Sequence, residues 1–312
     1  MENARRSIVK IIKEICSESE ISYRSFSYDW IFCLQKDDKV AYIFGYQFDK
    51  NSAAAYLICS DKCSTSDLLK VNQIPVVEHT FFMSPINIKY VGVAGNWKKI
   101  SELLQKNSKL VCKANEGTGG NSVYLVSNQF ELENATQKIF ESSRAMAICP
   151  YYEIESEFRV VILDKCVKLI YQKNISYVVG DGVLTIRQLL LNYLTENVDC
   201  SISLDIPDED NLKVINHGKK YYLNWKHNLG QGADPVIVED QELIKYLSDL
   251  ALRAAEAVNV KFASVDIIKT GDDFLVLEIN SGVMMEYFSQ LNDENYQIAK
   301  SIYKEAIESM FE

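Results

Sequence analysis

Several kinds of segment are missing from this chain of 312 residues, and each absence narrows what it can be. No apolar run approaches the roughly 20 residues that cross a bilayer as a helix. The opening MENARRSIVKIIKEIC lacks the apolar core and small-residue cleavage site of a secretion signal. The expected location is therefore the cytoplasm, with no membrane partner. Tracts of Lys and Arg are also missing, and the net charge is -10. Phosphate backbones need clustered cations, so no general nucleic-acid partner is expected. Histidine occurs three times, and neither His79 nor His217 has a neighbour at metal-ligand spacing, so both read as structural. Of eight cysteines, only Cys59 and Cys63 are close together, too far apart for a CxxC pair and without a cluster to complete a zinc site. Most read as buried, reduced thiols.

What is present is the composition of a globular protein, with 47% hydrophobic and 24% charged residues. At roughly 150 residues per domain the length suits about two folding units. Ile8, Ile11, Ile12 and Ile15 recur at helical spacing, which predicts an amphipathic helix over 3–16. WIFCLQ and KVAYIFGYQF read as strands joined at Lys36-Asp37-Asp38. NSAAAYLICSDKC and STSDLLKV read as helical, with Ser64 or Ser66 as a cap, before IPVVEHTFF turns extended. Strands KLVCKA and SVYLV then flank the loop NEGTGG, followed by a helix near 131–142 and strand AMAICPYY. EFRVVILD and CVKLIYQKN read as a hairpin turning at Asp164-Lys165. GDG feeds a helix, 197–216 reads as a flexible insert, LIKYLSDLALRAAEAVNV as a long helix, FASVDIIK and FLVLEIN as paired strands, and 296–310 as a closing helix.

Two groups of residues point to chemistry. In Lys113-Ala114-Asn115-Glu116-Gly117-Thr118-Gly119-Gly120, glycines would let backbone N–H groups approach phosphate oxygens, with Lys113 adding a cation. The loop is neither a Walker A motif nor GxGxxG, and the same pattern also makes an ordinary hairpin turn. The second group is Asp266 on SVDII with Glu278 and Asn280 on LEIN. Strand alternation puts Glu278 and Asn280 on one face, and an antiparallel return can bring Asp266 beside them. Such an all-oxygen set suits Mg2+, although alternating polar residues also occur simply as a solvated strand face.

The order of these features resembles the ATP-grasp superfamily over roughly residues 60–282, because VCKANEGTGG, ESEFRVVIL, GDGVLTIRQLL and VLEINSG each match a separate family motif. The details are most similar to the branch with cyanophycin synthetase and bifunctional glutathione synthetase. D-alanine:D-alanine ligase is a more distant relative. The resemblance implies an α/β (α+β) ATP-grasp fold with antiparallel sheets: an N-terminal α/β unit over 1–108, a lid over 109–150 and a catalytic part over 151–312. It implies ATP with one or two Mg2+ ions, or Mn2+ in their place.

Carried over residue by residue, Lys62 and Lys113 would meet the nucleotide phosphates, and Gly117, Gly119 and Gly120 would form the mobile lid. Tyr151, Tyr152, Glu153 and Ile154 would form the adenine hinge, and Glu157 would accept the ribose hydroxyls. Asp266, Glu278 and Asn280 match the metal ligands. Arg159, Lys173, Lys226 and Asn228 would face the phosphate or acyl phosphate, with His227 beside them. Pro150 stands where the family often has an acid, Asn224 where the branch commonly has arginine, and Ser281-Gly282-Val283 where peptide ligases have Ser-Pro-Gly. Glu286 and Tyr287 read either as acceptor-site lining or as packing.

The implied reaction is carboxylate–amine ligation through an acyl phosphate, releasing ADP and phosphate. Its partners would be small carboxylic acids and amines, such as amino acids, peptides or a carrier-bound acyl group, with the N-terminal unit either binding the acceptor or joining two copies as a homodimer. A phosphotransferase and a non-catalytic nucleotide-binding protein are the alternatives.

Overall fold

The computed structural model describes residues 6–87, 97–117, 122–196, 206, 208–225 and 233–312. Its contacts divide the chain into one compact unit of residues 1–170 and 239–312 and a second of residues 171–238.

In the first unit, helix α1 (Ser7–Glu18) buries the stripe Ile8, Ile11, Ile12 and Ile15, as its periodicity dictates. The antiparallel sheet β1-β2-β3-β4 follows, from Ser22–Phe26, Ile31–Lys36, Lys39–Phe44 and Gln47–Phe48. Helices α2 (Ala53–Ser60) and α3 (Lys62–Val71) meet at Asp61. Asp61, not Ser64 or Ser66, caps α3: its carboxylate accepts from the Ser64 backbone N–H at 2.7 Å. The helix thus starts two residues before Ser64, and an aspartate stands at the position where an N-cap oxygen satisfies otherwise orphaned N–H groups. Ser66 is buried and used differently. Its hydroxyl donates to the Val77 carbonyl and accepts from the His79 N–H, tying the extended segment to α3.

A second sheet, in the order β5-β8-β6-β7, is built from Thr80–Met83, Ala145–Pro150, Leu110–Ala114 and Val123–Val126. Helices α4 (Trp97–Asn107) and α5 (Gln129–Ser142) contribute to its core, where Ile100, Leu104, Leu132 and Ile139 meet Phe82, Cys112 and Met146. A third sheet places β14 (Phe262–Thr270) between β9 (Ser156–Leu163) and β15 (Asp273–Asn280). The turn into β10 (Cys166–Asn174) has positive φ at both Asp164 (46°) and Lys165 (67°), the two-residue geometry that matches strand twist.

Strand alternation gives this third sheet two unlike faces. On one, Phe274 meets both Phe158 and Tyr246 of α7 (Gln241–Ala257), and Val265, Ile267, Val276 and Ile279 are buried. The other carries the polar residues of the next section. Helices α8 (Glu286–Gln290) and α9 (Asp293–Glu308) close the unit against α1.

The second unit holds the C-terminal part of β10 paired with β13 (Asp234–Ile237), the ribbon β11–β12 (Tyr177–Val179, Lys220–Tyr222) and helix α6 (Ile186–Glu196). Val178, Leu190 and Leu223 form its core. Of the 197–216 insert, 197–205 and 207 lie outside the described residues. Among the described residues no helix is long and apolar enough to cross a membrane. The seven described cysteines are free, and five of them are buried.

Candidate nucleotide and metal site

The polar face of the third sheet is a row of registered cross-strand pairs. Arg159 on β9 lies opposite Asp266 on β14, and Asp266 lies opposite Glu278 on β15. Arg159 grips Asp266 with two hydrogen bonds, Nε to Oδ1 at 2.8 Å and a terminal nitrogen to Oδ2 at 2.7 Å. Asp266 is 1% exposed, so this bidentate pair compensates a charge that burial alone would make costly. The register slips just after Asp266, where Ile267 pairs with Val276, so Leu277 is a bulge residue. Bulges re-aim side chains, and this one lets Val276 stay in the core while Glu278 and Asn280 both stand on the polar face. The Asn280 amide N–H donates to Glu278 Oε1 at 3.1 Å, which leaves the amide carbonyl oxygen, an acceptor, available to a cation. Glu157, two residues before Arg159 and on the same face, is buried.

Lys62 comes to this face from the first turn of α3. Its ammonium donates to the Gly117 carbonyl at 2.6 Å, at the start of the glycine loop. Burial lowers its pKa, the nearby Glu278 carboxylate raises it, and the Lys113 charge lowers it further, for a net downward shift. The two lysines and the carboxylate therefore share one electrostatic neighbourhood.

Lys113, near the end of β6, lies 3.5 Å from the His79 ring Nε2. His79 is buried, and burial first, then the Lys113 and Lys62 charges, hold its pKa well below the usual histidine range. The imidazole is therefore neutral at pH 7.

Asn115 joins the parts. Only 1% exposed, it donates Nδ2 to Asp61 Oδ2 at 2.5 Å and accepts from the Cys63 N–H at 3.2 Å. Its own carbonyl accepts from the Lys62 N–H, and its N–H donates to the Ala145 carbonyl. One side chain thus welds the start of α3, which carries Lys62, to the end of β6, which carries Lys113.

Tyr151 to Ile154 form the connection between β8 and β9, outside any strand. The Tyr151 N–H donates to the Lys109 carbonyl, and burial raises the Tyr152 pKa. Gly119, Gly120, Lys226, His227 and Asn228 lie outside the described residues. Lys173 belongs to the second unit, buried on β10 in register with Pro235.

A model of the RimK-like ATP-grasp domain matches residues 184–305. Among solved structures, a bifunctional glutathione synthetase from Pasteurella multocida aligns over 96% of this chain and 44% of its own, with a TM-score of 0.56 at 16% identity. The chain has the ATP-grasp fold. D-alanine–D-alanine ligase from Bacillus anthracis, in a complex with ATP, shares the fold with a TM-score of 0.52 at 16% identity, over 83% of this chain and 68% of that one. In sequence, tetrahydromethanopterin:alpha-L-glutamate ligase of Methanocaldococcus jannaschii is 36% identical over 72 residues, 23% of this chain. That match spans about a quarter of the relative's length, 24%.

The sequence reading took His79 as structural and gave Asn115 no role of its own. Neither stands at a diagnostic spacing. The available signals were weak: His79 ends an extended run just before a strand, and Asn115 sits two residues after Lys113. Glu286 proves to be an anchor of the N-terminal helix. Its carboxylate, 9% exposed, accepts from the Ser7 N–H at 2.7 Å, the Ser7 hydroxyl at 2.6 Å, the Ile8 N–H at 3.1 Å and the Tyr46 hydroxyl at 3.1 Å. It thereby caps the positive end of α1 from the far side of the chain. At Gly282, just after β15, a Cβ would come within 2.5 Å of the end of the Gln47 side chain, a flexible amide that would have to shift.

Proposed function

We propose that this chain is an ATP-dependent carboxylate–amine ligase, with an amino acid or peptide among its substrates. The observation that carries this reading is that Lys62 lies within electrostatic reach of both Lys113 and Glu278, and that Glu278 shares one strand face with Asp266 and Asn280. The ATP-grasp fold and the ligase names of the chain's relatives support it.

A free carboxylate is a poor electrophile. Attack of its oxygen on the γ-phosphorus of ATP breaks the bond to the β-phosphate oxygen and yields an acyl phosphate and ADP. The amine then attacks the acyl carbon, phosphate leaves with the former carboxylate oxygen, and the amine sheds a proton. Lys62 and Lys113 offset negative charge on the phosphoryl group, where positioning and electrostatics supply most of the catalysis. Arg159 holds Asp266 in place and presents a cation on the same face. The lid of residues 109–150 shields the acyl phosphate from water, and Tyr151 to Ile154 with Glu157 hold the nucleoside.

The donor set of two carboxylates and an amide oxygen fits a hard divalent cation, Mg2+ before Mn2+. Asp266, Glu278 and Asn280 would hold it, and when bound it neutralises phosphate charge. We place the protein in the cytoplasm, where thiols stay reduced.

The test is release of ADP and phosphate from Mg-ATP with pooled carboxylic and amino acids, with hydroxylamine present to trap an acyl phosphate as hydroxamate. A carboxylate-dependent hydroxamate is expected, and Glu278→Gln should lower its rate at least about tenfold. ADP without phosphate or hydroxamate would instead indicate phosphoryl transfer to a hydroxyl. Undiminished rate in Glu278→Gln would overturn the site.

A further inference from the structure

We propose that the outer face of the N-terminal sheet is the docking surface for a second copy of this chain, packed about a two-fold axis that runs along β2. A solvated antiparallel sheet face is ordinarily polar, because strand alternation sends the apolar residues to the core. Here both faces are apolar. Phe32, Leu34, Ala41 and Ile43 are buried on the inner face. The cross-strand register then places Phe26, Ile31 and Phe44 in one row on the outer face, with Arg24, Cys33 and Tyr42 in the next and Ser22, Gln35 and Val40 in a third. Trp30 stands beside the first row, its ring edge-on to Phe44 with centroids 6.2 Å apart.

The area is large enough to hold a partner. Phe26, Trp30, Tyr42 and Phe44 are each between 42% and 55% exposed. At about 150–250 Å² for a whole aromatic side chain, they present roughly 300–500 Å², the size at which an exposed apolar patch marks a contact site. Two such faces bury twice that. With the polar share that accompanies apolar area in interfaces, the total comes to about 1,000–1,700 Å², within the range of a stable dimer. The order of residues along each row says which partner fits. From β1 to β3 the first row reads Phe, Ile, Phe, the same from either end, and the second reads Arg, Cys, Tyr. A two-fold axis along β2 lays β1 of one copy on β3 of the other, so that each contact occurs twice. Aligned sheets pack about 10 Å apart. Phe26 then meets Phe44 of the partner subunit, and Arg24 lies over Tyr42 of the partner subunit, a cation on an electron-rich ring. Arg24 is the only charged side chain in the three rows, so closing the face buries no unpaired carboxylate. A lipid surface is a poorer match, since attraction to anionic lipids calls for clustered cations and the rows supply one.

The experiment is sedimentation velocity of the full 35.6 kDa chain over a concentration series, with circular dichroism to confirm that each variant folds. Wild type should run as a dimer with a dissociation constant in the micromolar range or below. Tyr42→Lys sets an ammonium against Arg24 on both sides of the axis, and Arg24→Glu removes the cation. Each should dimerise at least about tenfold more weakly. Phe130→Ser, which changes an exposed aromatic on α5 instead, should dimerise like wild type.

Mixing the two charge variants tests the axis itself. The introduced carboxylate of one chain then faces the introduced ammonium of the other, while the native pairing of Arg24 with Tyr42 survives on the opposite side. The mixture should therefore regain dimer that neither variant forms alone. Wild type that stays monomeric well above micromolar concentration, Tyr42→Lys that dimerises as well as wild type, or a mixture no more dimeric than its components would each overturn the proposal. Monomeric wild type that binds phosphatidylcholine vesicles, and loses that binding in Tyr42→Lys, would assign the face to a lipid surface instead.

Discussion

Exchanging Asn115 for Asp changes one atom type at the junction of α3 and β6 and has a consequence that can be worked out in advance. The Nδ2 donor 2.5 Å from Asp61 Oδ2 becomes a carboxylate oxygen. Two unit charges at that distance repel by about 6–7 kcal/mol at an effective dielectric of 20. The pair can escape by sharing a proton. At pH 8, protonating a carboxyl of ordinary pKa costs about 5 kcal/mol, at roughly 1.36 kcal/mol per pH unit. The electrostatic penalty is therefore capped near that figure. Loss of a hydrogen bond to a charged acceptor, about 1.5–3 kcal/mol, sets the lower end.

The folded-state pKa of this introduced pair lies above its unfolded value. Its penalty is then full above the folded pKa and shrinks as pH falls toward about 4, the unfolded range. Urea unfolding should show Asn115→Asp less stable than wild type by about 2–5 kcal/mol at pH 8 and by clearly less at pH 5. Asn115→Ala should lose stability with no comparable pH dependence. In both, kcat/KM for ATP should fall more than the melting temperature alone explains, because the two lysines lose their common brace. A deficit in Asn115→Asp that is the same at both pH values would refute the reasoning.

Two further outcomes follow from particular contacts. Burial holds the Lys62 pKa below the ordinary lysine range, so raising pH removes its positive charge earlier than usual. The pH profile of kcat/KM for ATP should have an alkaline limb below 10.5, and Lys62→Arg should shift that limb upward because arginine stays protonated. Glu286→Ala leaves the first N–H groups of α1 and the Tyr46 hydroxyl without their acceptor. It should cost about 2–4 kcal/mol in urea unfolding, and equal stability would show that α1 does not depend on that carboxylate.

The parts of the fold that were legible in the sequence are those with a clear helical period or an apolar run bounded by turn residues. The α7 helix buries one face and shows it in its spacing, while the β9–β10 hairpin with its Asp164-Lys165 turn and the β14–β15 pair show as apolar runs, β9 and β14 being buried on both faces. Strand β1 did not show itself, because all five residues of SYRSF are exposed and only the pairing with β2 makes them a strand. At the site, the alignment of Asp266 with Glu278 could be read from alternation, but the Leu277 bulge that lets Val276 and Glu278 face opposite ways could not. The mutual grip of Arg159 and Asp266 was also out of reach, since it depends on which rows of two strands come into register. The contacts of His79 with Lys113 and of Asn115 with Asp61 were out of reach for the same reason, since those partners lie 34 and 54 residues away along the chain.

The capping of α1 by Glu286 has a consequence for how the molecule is made. Ser7 and its acceptor are 279 positions apart, and Lys300 reaches back to Glu14 across 286. During synthesis α1 emerges long before Glu286 and Lys300, so its isoleucine stripe and uncapped N–H groups must wait for both. Contacts of such high sequence separation are slow to close and leave apolar surface open to wrong partners meanwhile. The same contact joins α1 to the segment just after β15, so the first helix gains its cap only after the strands that carry Asp266 and Glu278 have been made.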